Sequence, residues 1–193
     1  MFKKIIKYFI LTVFFKICRY KHNTVILKII YLFKDPWKNS SQNEINKFEK
    51  INKYLKTKNY NKNFKDILEI GSGEGHQTKY LSMITDKISC LELSKLAIKR
   101  SKIENNQLNI KYINEDFEKF NDNYKYELVV AFEVIYYFKN IDKIIKKIEN
   151  LGNKRLISYY DYESTILNKY FIDSKYEKFE ITNNGNKWHF IYW

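Results

Sequence analysis

Three of the five glycines in this 193-residue chain fall within five positions, in the run Glu69-Ile70-Gly71-Ser72-Gly73-Glu74-Gly75. Glycine admits positive φ and lets a ligand approach the backbone with no Cβ in the way. A plain turn between two elements needs one such residue, so three in alternation point to a loop shaped around a ligand. The chain contains a single proline, and its other loops are therefore expected to be short.

The flanking pattern gives that loop its setting. Ile67–Ile70 reads as a short buried strand, and a helix follows the glycines through Leu81 and Met83. Residues 88–93 make a second strand, 94–104 a helix with Ala97 and Ile98 inward, Ile110–Ile113 a third strand and 128–132 a fourth. Ile141, Ile144, Ile145 and Ile148 fall at helical spacing in Ile141–Leu151. Residues 156–159 form a fifth strand and a short helix lies near 164–171. The tail, YEKFEIT-NNGN-KWHFIYW, is two alternating runs about a turn, which reads as a β-hairpin. Strands alternating with helices imply an α/β fold: a Rossmann-like, mostly parallel, seven-stranded sheet with helices on both faces and a C-terminal antiparallel β-hairpin.

Ahead of this core, residues 35–63 read as a lid or linker. Asp35-Pro36 ends the preceding segment, Ser40 or Ser41 can cap a new helix, with Glu44 three residues beyond Ser41 completing a capping box, and helix 42–56 carries Ile45, Phe48, Ile51 and Tyr54. Residues 1–34 are a basic, apolar segment with helical stretches at 4–19 and 24–33. The positive charge gathers at this end. Residues 1–60 hold 14 Lys and Arg against 3 acids, whereas residues 61–193 hold 21 against 19. A local positive field favours an anionic surface, a membrane face or nucleic acid, unless it reflects only a Lys-, Asn- and Ile-rich composition. The longest uncharged run here, residues 8–15, is too short for a spanning helix, which needs about 20 apolar residues. These stretches are expected to pack on their own domain or to make peripheral contact with the inner face of a membrane. Cys18 and Cys90 are too few for a disulfide framework, and no Cys or His cluster has metal-ligand spacing, so the expected setting is cytoplasmic with no metal.

In an open α/β sheet, ligands sit beyond the carboxyl ends of the strands. The dinucleotide fingerprint is G-x-G-x-x-G, but this loop is G-x-G-x-G with His76 where the last glycine would stand. Glu74 adds a carboxylate where a pyrophosphate would need to be, which favours a cationic ligand such as a sulfonium cofactor with an α-amino group. Glu92, 21 positions after Gly71, can accept from both hydroxyls of a ribose. Asp116 follows the third strand and can accept from an exocyclic amine, with Phe117 covering the ring.

The runs DILEIGSGEGHQTKYL, ISCLELSKLAIKRSK, YINEDFEKF and YELVVAFEVIYYF resemble the motifs of class I S-adenosylmethionine-dependent methyltransferases. DPWKNSSQNEINKFEK and FEVIYYF resemble the nodulation protein S-like branch of that class. The resemblance implies S-adenosyl-L-methionine as cofactor, with Glu69, Gly71, Ser72, Gly73 and Gly75 around its methionine part. It places Glu92 and Leu93 at the ribose and Asp116 and Phe117 at the adenine. Trp37 and residues 40–44 would belong to a lid. The branch usually has an aromatic just before the lid glutamate; here that position is Asn43.

Methyl transfer from a sulfonium is an in-line displacement, helped by alignment and by excluding water, and needs a base only when the acceptor must lose a proton. Glu133, just past the fourth strand, is the candidate base and His76 the second choice. Tyr136, with Tyr137, would shape the pocket of a small-molecule acceptor, which the resemblance suggests is a saccharide derivative methylated on N or O. A nucleic-acid (RNA) methyltransferase is an alternative that would explain the basic third, but nucleic acid is not the expected partner, because AFEVIYYF lacks the N/D-P-P-Y/F signature of amino-group base modifiers. A nicotinamide oxidoreductase wants the other glycine spacing. A membrane-docked cofactor-binding adaptor recruited through residues 1–33 is the non-enzymatic alternative.

Overall fold

The computed structural model describes residues 24–193. The helical stretch expected at 4–19 lies outside the described residues. Along the chain, α1 (Thr24–Ile30) and α2 (Gln42–Lys58) precede β1 (Ile67–Ile70). There follow α3 (His76–Leu81), β2 (Ile88–Leu91), α4 (Lys95–Glu104), β3 (Ile110–Ile113) and β4 (Tyr126–Phe132). The remainder is α5 (Ile141–Leu151), β5 (Gly152–Tyr160), α6 (Ser164–Leu167), β6 (Glu177–Asn183) and β7 (Asn186–Tyr192).

The seven strands form one sheet in the order β3-β2-β1-β4-β5-β7-β6. The first five pair in parallel, and β7 runs antiparallel to both β5 and β6. This is the Rossmann-like, mostly parallel architecture that the alternation implied. The β6–β7 turn has Asn184 at φ 47° and Gly185 at φ 77°, the double left-handed geometry that matches strand twist in a two-residue hairpin.

Period-two alternation explains why both faces of the sheet are covered. Leu68, Ile70, Val129, Ala131 and Ile157 face one cluster, which α5 closes with Ile144, Ile145, Ile148 and Leu151. Their sequence neighbours Ile67, Leu128, Val130 and Leu156 face the other, closed by Ile51 and Leu55 of α2 and by Trp188 and Phe190 of β7. Each large apolar side chain buried this way contributes about 1.5–3 kcal/mol. Helix α5 starts at Asn140, whose side chain accepts from Lys143 N at 3.0 Å, and passes into β5 at Gly152. A Cβ there would lie 2.7 Å from Val129 Cγ2, so the close helix-to-strand junction requires glycine.

Several boundaries differ from the sequence expectation. Strand β2 stops at Leu91, so Glu92 and Leu93 belong to the following loop. Strand β5 starts at Gly152 rather than 156, because its first residues already pair in parallel with β4, Gly152 with Tyr126 and Lys154 with Leu128. The helix expected near 164–171 is one turn of α6 followed by a 3₁₀ turn at Asn168–Tyr170. On α2 the buried stripe is Glu44, Lys47, Phe48, Ile51 and Leu55; Ile45 and Tyr54 are only half-buried. Ser41 caps α2 by accepting from Glu44 N, while the Glu44 carboxylate turns inward to Lys47, so only one half of the capping box forms. Helix α1 packs on the domain through Ile30, beside Leu27, Phe33, Trp37 and Tyr137. Among the described residues no helix is long and apolar enough to cross a membrane.

Candidate active site

A cavity of about 820 Å³ opens at the carboxyl ends of β1, β2 and β4. Its floor is the loop after β1, where Gly71 and Gly73 have φ 73° and 55°. A Cβ on Gly73 would meet Tyr31 Oη at 2.8 Å, so the absence of a side chain lets the α1 connector close down on the loop. Trp37 Nε1 donates to the same Tyr31 hydroxyl at 3.2 Å, and its ring lies 5.9 Å from that of Tyr137. Together these residues roof the cavity. Tyr31 belongs to the segment that the sequence left between core packing and membrane contact; nothing in its local pattern marked it as part of the site.

The backbone N–H groups of the loop are largely engaged inside the protein. Gly71 N and Ser72 N donate to Leu91 O at 2.8 and 3.2 Å, and Gly75 N donates to Ser72 O at 3.0 Å. Gly73 N donates to Glu92 Oε2 at 3.0 Å. A loop that cradles phosphate turns such groups toward its ligand. This one has committed them, and the residues facing the cavity around it are acidic.

Of the expected cofactor residues, Trp37, Glu69, Gly71, Ser72, Gly73, Glu92, Leu93, Asp116 and Phe117 all line the cavity, and Gly75 does not. Gly75, at φ 81°, packs against α4 instead, where a Cβ would fall 1.9 Å from Ser101 Oγ. Glu74 is likewise turned away from the cavity. Its carboxylate accepts from Arg100 at 2.5 Å and from Asp35 N at 2.8 Å. Burial alone would raise its pKa, but hydrogen bonds from His76, Arg100 and Asp35 N hold it below the usual glutamate range. Glu74, contrary to expectation, therefore presents no charge to a ligand in the cavity, and the negative charge there belongs to other carboxylates.

Two of these sit at the ends of β1 and β2. Glu69 is buried, and burial pushes it up to about 7 against hydrogen bonds from Thr78 and Cys90. Glu92 accepts from Ser94 N at 2.7 Å as well as from Gly73, and burial raises it despite these bonds. Asp116 is half-buried and accepts from Glu118 N at 3.0 Å. Phe117 is buried against Phe120 and Phe138, with Lys147 Nζ 4.9 Å from its ring centroid. Ser72 Oγ and both polar atoms of Gln77 are buried at the cavity with no hydrogen-bond partner among the described residues. Orphaned polar atoms of this kind mark a place where a polar ligand fits.

At the far end, Glu133 has φ 51°, which turns its side chain back toward the cavity. Lys47 Nζ, from α2, lies 2.6 Å from Glu133 Oε2 and 2.5 Å from Glu44 Oε2. Ser158 Oγ donates to Glu133 Oε1 at 2.5 Å. The ammonium is fully buried, with its Nζ 5.0 Å from the Trp188 ring centroid. Burial raises Glu44, Lys47 lowers it and Glu133 raises it, and the net direction is up. Tyr136, Tyr137, Phe132 and Tyr160 wall this end, and burial pushes the Tyr136 hydroxyl well above its ordinary value. His76 lines the cavity with Nε2 3.6 Å from Asp35 Oδ1. The Glu44–Lys47 pair was missed by sequence reading, although two charged residues on the apolar stripe of α2 were the available signal.

Asn43, the departure from the branch pattern, bonds to the hairpin turn: Asn184 Nδ2 donates to its Oδ1 at 2.8 Å and Asn183 Nδ2 to its backbone carbonyl at 3.3 Å.

The sequence profile of the nodulation protein S (NodS) family matches residues 21–158. Nodulation protein S of Azorhizobium caulinodans is 29% identical over 86 residues, which is 45% of this chain and 42% of the relative. The matched region thus spans about two fifths of that curated relative. Among solved structures, the N-methyltransferase NodS of Bradyrhizobium japonicum, in complex with S-adenosyl-L-homocysteine, superposes with a TM-score of 0.68 at 16% identity, covering 86% of this chain and 94% of that one. Magnesium protoporphyrin IX methyltransferase of Synechocystis, with bound S-adenosylmethionine, gives 0.62 at 10% identity, covering 76% of this chain and 77% of that one.

Proposed function

Because this chain belongs to the nodulation protein S family, we propose that it is an S-adenosylmethionine-dependent methyltransferase acting on an amine of a small molecule, with a saccharide derivative as the acceptor. The observation that carries this reading is the glycine loop itself. Its N–H groups bond inward while carboxylates face the cavity, a combination unsuited to pyrophosphate and suited to a cationic donor. S-adenosylmethionine supplies, when bound, an electrophilic methyl on a sulfonium. Glu92 with Leu93 would hold its ribose, Asp116 and Phe117 its adenine, and Glu69 with Gly71 and Gly73 its methionine part.

The chain's own residues then do three things. Tyr31 and Trp37 roof the cavity and exclude water. The aromatic wall of Tyr136, Tyr137, Phe132 and Tyr160 shapes the acceptor end. Proton removal from an acceptor ammonium falls to the pair of carboxylates bracketing Lys47. Glu133 is fixed by two donors, whereas the Glu44 carboxylate has Lys47 alone as its partner among the described residues. Glu44 is thus the better placed to take the proton, with Glu133 positioning it through Lys47.

Calorimetric titration with S-adenosylmethionine, S-adenosylhomocysteine and NAD⁺ tests the donor, followed by transfer of a labelled methyl group to a panel of amino sugars. Binding of the first two alone, with label appearing on an amine, is the expected result. Binding of NAD⁺ in their place would overturn the reading.

A further inference from the structure

Where the covering segment meets the end of the glycine loop, Asp35, Glu74 and His76 converge. His76 Nε2 lies 3.6 Å from Asp35 Oδ1 and 3.8 Å from Glu74 Oε2, and one side-chain donor atom from each of the three falls within 4.8 Å of the other two. Nε2 is itself buried, with no hydrogen-bond partner among the described residues. A buried ring nitrogen beside two carboxylates, at bonding distance from neither, is the mark of a group still to be supplied.

The two carboxylates are held from behind. Asp35 accepts from Asn39 N at 2.7 Å and from Ser40 N and Oγ at 3.1 and 2.5 Å. Glu74 accepts from Arg100 Nη1 at 2.5 Å and from Asp35 N at 2.8 Å. Outer bonds of this kind orient the carboxylates that ligate a metal. Zn²⁺ takes His and carboxylate ligands at about 2.0–2.2 Å, which sets them about 3.3–3.5 Å apart in a tetrahedron. Both His76 separations are within a few tenths of an ångström of that spacing. One imidazole with two carboxylates suits Zn²⁺ better than Mg²⁺, which takes oxygen ligands. Asp35 and Glu74 are 39 positions apart, so no ligand spacing shows in the sequence.

We propose that Asp35, Glu74 and His76 form a Zn²⁺-binding site that staples the covering segment to the glycine loop. Its place is the rim: His76 and Pro36 line the cavity, whereas Asp35 and Glu74 do not. The role is structural, no step of methyl transfer passes through the ion, and the site does not depend on the donor or acceptor assigned above.

The test uses the full chain after chelator treatment, with Zn²⁺ and Mg²⁺ as separate titrants. Calorimetry should show Zn²⁺ binding that His76→Gln and Asp35→Asn each weaken by more than the 10- to 100-fold loss usual for an outer-shell partner. Ser40→Ala, which removes one bond to Asp35, should lose about that much. Three variants guard against one that fails to fold. Trypsin cleavage after Lys38, exposed beside Asp35, should slow with Zn²⁺ in the wild type and ignore it in Asp35→Asn. Absence of Zn²⁺ binding overturns the site, as does binding that survives both His76→Gln and Asp35→Asn and so belongs to other residues. A preference for Mg²⁺ overturns it too, since His76 would then be idle. Zn²⁺ held by these residues with cleavage unaltered overturns the staple.

Discussion

Lys47 Nζ lies 2.6 Å from Glu133 Oε2, although the two residues are 86 positions apart in sequence. The contact fastens α2 to the end of β4 beside Ser158 at the cavity wall. Because the ammonium is fully buried, the link is structural and electrostatic at once.

Lys47→Met would leave Glu44 and Glu133 facing each other without compensation. Removing one partner of a buried ion pair costs about 3–5 kcal/mol, so the denaturant midpoint should fall accordingly. The double variant Lys47→Met/Glu133→Gln should recover part of that loss. A purely additive double variant would show that the two groups are not coupled.

Turnover should distinguish the two carboxylates. Glu44→Gln is expected to lower kcat at neutral pH by about 10²–10⁴-fold while leaving S-adenosylhomocysteine affinity almost unchanged. With the base removed, the rise of rate with pH through the elevated Glu44 pKa should also disappear. Glu133→Gln should cost less in kcat and more in stability. The reverse ranking in a labelled-methyl assay would return the base to Glu133.

Stability should carry a signature of Glu69. An unfolded glutamate titrates near about 4.3, whereas burial pushes folded Glu69 up to about 7. Between these values the folded protein keeps a proton that the unfolded chain has released. Stability therefore declines as pH rises through this window and levels off above it. Glu69→Gln should remove a decline on the order of 3 kcal/mol, read from denaturant melts at pH 5 and pH 8. Glu92, which burial also raises, should leave a residual slope.

Glu92→Ala should weaken S-adenosylhomocysteine by on the order of 100-fold, through the lost charge-assisted bonds to the ribose and the loosened Gly73. Isothermal titration with unchanged affinity would remove Glu92 from the sugar site.

Gly75→Ala combines a φ of 81° with a Cβ 1.9 Å from Ser101 Oγ. Strain of about 1–3 kcal/mol plus the clash should lower the melting temperature by several degrees. A Cβ there also falls 2.4 Å from Asn105 Nδ2, so Gly75→Ala/Ser101→Ala should regain only the share due to Ser101. Failure to regain any would assign the effect to backbone conformation and Asn105.

How far the sequence could be read depended on whether a residue's partners were local. Ile141–Leu151 was legible to the residue because its apolar spacing and its cap are properties of consecutive positions. So was the glycine loop, and with it the floor of the cavity. Glu74 misled, because its partner Arg100 is 26 positions away and nothing near Glu74 announces it. Lys47 sat on a stripe where a helix buries its side chains, yet its acceptors come from its own helix and from the end of β4. Tyr31 was hidden in a stretch whose lysines and apolar residues suit a membrane face as well as a core. Gln77 carries no pattern at all, and only its burial without partners makes it visible.

The ceiling over the glycine loop comes from Tyr31 and from Trp37, which packs with Ile30, while among the described residues neither of the two large clusters around the sheet draws one from positions 24–41. Folding and enclosure are thereby carried by different stretches of one chain. Changes in the covering segment can reshape what enters from above without disturbing the sheet and helices packed beneath. Evolution, or a protein engineer, can here retune how tightly the glycine loop is enclosed while the sheet that presents it stays as it is.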